Sequence, residues 1–393
     1  MKRMTGKRAL GGALTLLAAG LLATTTTTAA GAAVRAPGQP AVKAKPATCS
    51  PKLAGPSHIR HFSGIVHPLT IGCGTSHNSQ AANGTPPLLW HGGPVMSTKQ
   101  TGPLVITPIF WNPAGHPMTA QYRLLLTRYL LDVAVSSFQN TNVFSVSTEY
   151  FGSNGAIRHG IELGIPVNDT APLPADGCTV APKDTSGIYA DNTGYDACLD
   201  DSQVQAETSR VVAARHMPID LAHIYVLYLP KHVESCFLPG STLTAANNCT
   251  INYEPSATYC AYHSQIADGT VYANMPFPVY GSATRFTCSS DARFPTVQTP
   301  NGNPDADTEV SPTSHEVNEA MTDPDTNTGW YDSSGFENGD ECAYVFGPTQ
   351  GATGQAYNQT LGFDHWLTQE EFSNQDFSVT GLGCVQGENQ VAK

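Results

Sequence analysis

Basic residues are scarce in this chain. Lys and Arg total 20 against 32 Asp and Glu, a formal charge of −12. So acidic a surface argues against nucleic acid or an anionic membrane as partner. None of the ten cysteines forms a Cys-x-x-Cys pair, which leaves a thiolate zinc site or thioredoxin-like centre without support. No Gly-x-Ser-x-Gly elbow is present for a serine hydrolase, and no phosphate-binding glycine loop follows a strand. Internal repeats are absent as well. After the first thirty or so positions, no run is long and apolar enough to cross a bilayer.

The beginning of the chain reads as a secretion leader. Lys2, Arg3, Lys7 and Arg8 precede an apolar run from Ala9 to Ala23, and Ala30-Gly31-Ala32 offers a small-residue cleavage site. Removing residues 1–32 takes away four basic and no acidic residues, moving the formal charge to −16. An exported, soluble protein without a membrane span is expected. An even number of cysteines then favours disulfides. Pairing of neighbours (Cys49–Cys73, Cys178–Cys198, Cys236–Cys249, Cys260–Cys288, Cys342–Cys384) follows from short loops closing easily.

Residues 33–84 are rich in Ala, Pro and Ser without a period and read as a flexible arm; residues 85–393 read as one domain. Within it, Pro103 to Trp111 is a buried-strand run. Ala120 to Phe138 has helical spacing, with Thr119 as cap and Leu124, Leu125, Tyr129, Leu131 (or Leu130), Val135 and Phe138 as its apolar face. Val143 to Phe151 alternates as a strand does, and Ile157 to Val167 can lie beside it. A second helix is expected over Asp201 to His216, feeding a central strand at His223–Pro230. Shorter strands follow at Ala257–His263 and Thr270–Met275. The class is α+β, a mixed sheet with flanking helices in zincin-like order, with a loop-rich C-terminal cap on the same core.

Ser311 to Pro324 carries the chemistry. It reads as a short helix, with Ser311 as N-cap, Pro312 in the first turn and Pro324 opposing continuation. His315 and Glu319 lie one turn apart on one face, so both can reach one metal ion. Glu316 takes the place of the general base in a His-Glu-x-x-His zinc helix, whose second histidine is here a glutamate. A third ligand must come from a later segment. Glu337 and Asp340 are the candidates, with Asp332 behind them. Zinc is expected, while one histidine among carboxylates also suits calcium or manganese. Asp323-x-Asp325-x-Asn327 resembles the start of a calcium loop, but its glycine arrives one position late. His263 could approach the metal, though a hydrogen-bonded structural histidine is the commoner reading; His91 could shape a cleft, though the two glycines after it alone explain a tight turn. His365-Trp366 reads as aromatic packing more readily than as a groove.

Leu88-Leu89-Trp90-His91-Gly92-Gly93-Pro94-Val95 resembles the opening of the exordium, or phosphate-induced-protein, family of secreted proteins. Cys260-Ala261-Tyr262-His263 is similar to its Cys-Gly-x-His segment. So is the block His315-Glu316-x-x-Glu319, Thr322-x-Pro324, Trp330-Tyr331, Glu337-x-x-Asp340-x-Cys342. Ala261 and Asp323 depart from the pattern. The resemblance implies an extracellular location and the same site residues, and brings no established enzymatic activity. Two functions are therefore expected in competition. One is a metal-dependent, peptidase-like hydrolase with Glu316 as base. The other is a non-catalytic extracellular protein, with a peptide or cell-wall ligand and a structural metal.

Overall fold

A computed structural model describes residues 86–179, 195–237, 239–240, 249–250, 259–278 and 288–387. The leader, the arm and the Cys49–Cys73 pair lie outside the described residues. The elements that position the site are β1 (Leu89–Trp90), β2 (Leu104–Trp111), α1 (Ala120–Val135), β3 (Ile161–Leu163), β4 (Val167–Asp169) and α2 (Asp201–Ala214). They continue with β5 (His223–Tyr228), β6 (Tyr262–Gln265), β7 (Val271–Met275), α3 (Pro304–Thr322) and β8 (Trp330–Tyr331).

The main sheet runs β6-β7-β5-β2-β3, with β4 pairing the far end of β2. Neighbours are parallel except β6, which lies antiparallel on β7 at the edge. Strand alternation sorts side chains into two cores. Ile224, Val226 and Tyr228 pack with residues of α1 and α3, whereas Tyr225 and Leu227 pack with residues of α2. The sheet is thus the middle of three layers, and an α+β class is the result. From Gly329 onward the cap adds Phe346, Leu361, Trp366 and Phe372 to the core on the α1 and α3 side.

Four of the expected disulfides are formed: Cys178–Cys198, Cys236–Cys249, Cys260–Cys288 and Cys342–Cys384. Among the described residues no helix is long and apolar enough to cross a membrane. The disulfides accord with an exported protein.

Three expectations about elements are corrected. Val143–Glu149 is a 3-10 helix rather than a strand. Asn142 accepts the Phe144 N–H, while the hydroxyls of Ser145 and Thr148 donate back to the carbonyls of Asn142 and Ser145. Such local bonds outcompete a sheet ladder. Helix α1 does begin after Thr119, whose side chain accepts the Tyr122 N–H. Its buried face, however, is Tyr122, Leu126, Tyr129, Leu130 and Val133; Leu124, Val135 and the following Phe138 are each more than 65% exposed (69%, 68% and 67%).

The third correction concerns α3. It starts at Pro304 and runs for 19 residues, capped by Asn303, which accepts the Ala306 N–H. Pro312 therefore lies inside the helix, where it removes one N–H and crowds a carbonyl, at a penalty of about 3 kcal/mol. Ser311 is no cap; its hydroxyl accepts the Gln369 N–H at 3.0 Å. No apolar period marks the first turns, because Asp307, Thr308 and Glu309 are polar yet buried.

Candidate metal centre

Helix α3 packs across β6 and β7, and its inner face carries His315, Glu316 and Glu319. On β6, alternation sends Tyr262 to the α2 side, where its hydroxyl donates to Asp201 at 2.7 Å, and turns His263 towards α3. His263 Nε2 stands 3.1 Å from the Asp323 carbonyl, and Nδ1 stands 3.3 Å from Glu316 Oε2 and 3.7 Å from Glu319 Oε2.

Asp323 ends the helix and turns the chain. Its carboxylate accepts the N–H groups of Asn327, Thr328 and Gly329 at 2.9, 3.1 and 2.7 Å. That use leaves the calcium-loop alternation as a capping turn. Beyond β8, Glu337 and Asp340 return to α3. Asn338 holds this return, accepting from Thr322 Oγ1 at 2.9 Å and donating to Glu371 at 3.0 Å. Gly339 makes the approach possible: a Cβ there would stand 2.9 Å from both Glu319 Oε1 and the His315 ring. Asp332 does not join, because its carboxylate is spent on the N–H groups of Ser334 and Phe336.

The result is a sealed cluster. His315, Glu316, Glu319 and Glu337 are 0% exposed, and His263 and Asp340 are buried too. Two sets of donor atoms converge within 4.8 Å, His315 with Glu316 and Glu319, and His263 with Glu319 and Glu337. Asp340 Oδ1 lies 3.6 Å from His315 Nε2. His315 Nε2 is 2.9 Å from Glu319 Oε1 without hydrogen-bond geometry. Two donors on one ion stand about 3.0–3.4 Å apart, given bond lengths near 2.1 Å and octahedral or tetrahedral angles. Glu319 Oε2, Asp340 Oδ1 and both oxygens of Glu337 receive no hydrogen bond among the described residues.

Burial dominates the electrostatics. It raises Glu319, Glu337 and Asp340 well above the ordinary carboxylate range, and neighbouring carboxylates push Glu337 and Asp340 further. Burial also lowers both imidazoles, His263 to about 4. A cation is the group whose charge reverses these penalties, and the donor set fits one.

All five site residues expected from the sequence meet in this cluster. His263 is the hydrogen-bonded buried histidine of its plainer reading, and it also borders the cluster; its position one residue past Tyr262, on the opposite face of an edge strand, was the available signal. Other candidates fall elsewhere. His91 stacks on Tyr331 at 3.5 Å, and His365 on Tyr357 at 3.9 Å. The convergence of Cys178, Cys198 and Cys236 is made of disulfide sulfurs, which are not thiolate ligands. Comparison of the chain with protein-family models, characterised proteins and solved structures gives no match.

Proposed function

We propose that this chain is an exported metal protein in which a divalent cation fastens residues 323–342 to α3 and β6. The donors available for this are His315, Glu316, Glu319, Glu337 and Asp340, with His263 on the β6 side. The observation that carries this is Glu337, 0% exposed, its Oε2 3.7 Å from His263 Nε2, with no hydrogen bond of good geometry to either oxygen among the described residues. An uncompensated buried carboxylate costs several kcal/mol, which a bound cation offsets. Two imidazoles among the donors favour zinc or manganese over calcium. Because the donors are closed off from solvent, the reading supported best is a cross-link in a non-catalytic extracellular or cell-wall-associated protein of exordium type.

One observation favours hydrolysis instead. Glu316 follows a metal-type histidine on a helix bordered by an antiparallel edge strand, where a general base would stand to accept the proton of an attacking water. The metal would supply a polarised peptide carbonyl. Glu316→Gln separates the two. As a cross-link component, the variant loses metal affinity and melts lower, with no peptide cleavage before or after the change. As a base, it keeps its metal and loses a cleavage activity that the parent shows on an unfolded protein substrate.

A further inference from the structure

We infer that the centre is dinuclear, with Glu319 bridging two divalent cations; this rests on the metal-centre reading above. Glu319 faces both histidines with different atoms, Oε1 2.9 Å from His315 Nε2 and Oε2 3.7 Å from His263 Nδ1. The two convergent donor sets share this one residue and are otherwise separate. The first ion takes His315, Glu316 and Glu319, with Asp340 Oδ1 close by. The second takes His263, Glu319 and Glu337.

The tautomer of His263 points the same way. A carbonyl oxygen only accepts, so the Asp323 carbonyl at 3.1 Å places the ring proton on Nε2, the nitrogen that also lies 3.7 Å from Glu337 Oε2. The Nδ1 lone pair is then aimed at Glu316 Oε2 and Glu319 Oε2, at 3.3 and 3.7 Å. Three electron-rich atoms facing one another repel unless a proton or a metal cation lies among them. A ring N–H given to a backbone carbonyl is also how metal-ligating histidines are commonly oriented.

The number of donors accords with two ions. Four carboxylates (Glu316, Glu319, Glu337 and Asp340) and two imidazoles gather in a volume closed to solvent, more than the four donors one tetrahedral ion takes.

The test is metal content of the full chain, loaded with Zn²⁺ and freed of excess by gel filtration, alongside a Mn²⁺-loaded sample read by electron paramagnetic resonance. Two zinc ions per chain, falling to one in His263→Asn, together with an exchange-coupled manganese signal, are expected. One ion per chain that persists in His263→Asn, with an isolated manganese signal, overturns the second ion and leaves the metal centre standing. No stoichiometric metal overturns both. The manganese measurement uses the unsubstituted chain, so it decides the matter even if His263→Asn does not fold.

Discussion

Stripping the metal should reverse the way stability responds to pH. In the metal-free chain, burial raises Glu319, Glu337 and Asp340, so the folded state keeps protons that the unfolded state releases above about pH 4. The stability tied to these groups is full below the ordinary carboxylate range and is lost as pH rises towards their folded values. His263 and His315 are lowered and act oppositely. Their contribution is present above the ordinary imidazole range, about 6.5, and is lost on acidification, so above that value they add no slope. Each proton held only by the folded state contributes about 1.4 kcal/mol per pH unit. Between the ordinary carboxylate range and the folded values, two such carboxyls together lose roughly 3 kcal/mol per pH unit. At about 2–4 °C per kcal/mol for a domain of this size, Tm falls by roughly 6–12 °C per pH unit. With metal bound, the ligands are already deprotonated and binding strengthens as pH rises, so Tm stays level or climbs. Thermal melts followed by near-ultraviolet circular dichroism, in chelator and in excess zinc, give both slopes. Parallel slopes would refute the reasoning.

Other perturbations address neighbouring parts of the account. Gly339→Ala forces a methyl to within 2.9 Å of Glu319 and His315, and should cost about 1–3 kcal/mol and weaken metal retention; unchanged melting and metal content would show that the loop approaches α3 less closely. Leu126→Ala should cost about 2–5 kcal/mol and Leu124→Ala under about 0.5 kcal/mol, because only the first is buried. Equal losses in denaturant titrations would mean that the helix face is misassigned. Glu370 is pushed up to about 8 by burial, so its stabilising effect is present in acid and lost as pH rises through that value. Glu370→Gln should therefore melt higher than the parent at alkaline pH and lose the advantage in acid; the opposite sign would show that Glu370 is held ionised.

Much of the sheet was legible because a central parallel strand is apolar on both faces. His223–Tyr228 and Leu104–Trp111 announce themselves in that way. The site was legible for a different reason: a histidine and a carboxylate four apart on a helix, followed by acids in a return loop, are local patterns. What escaped was decided by polar groups acting at short range or underneath other elements. Serine and threonine hydroxyls turned 143–149 into a 3-10 helix. The first turns of α3 bury Asp307, Thr308 and Glu309, which no hydrophobic period reveals. The face of α1 is chosen by α3 and the sheet, so Leu124, equally apolar, is left outside. His263 lies more than fifty residues from Glu316 and met it only through strand pairing and packing.

The central claim is that α3, β6 and the 337–340 return hold a metal. Elemental analysis of the purified full chain tests it most directly. At least one divalent transition-metal ion per chain is expected in the parent, and none in the doubly substituted His315→Ala, Glu319→Ala chain. A parent devoid of metal after exposure to zinc and manganese, or a double variant that binds as much as the parent, would contradict it.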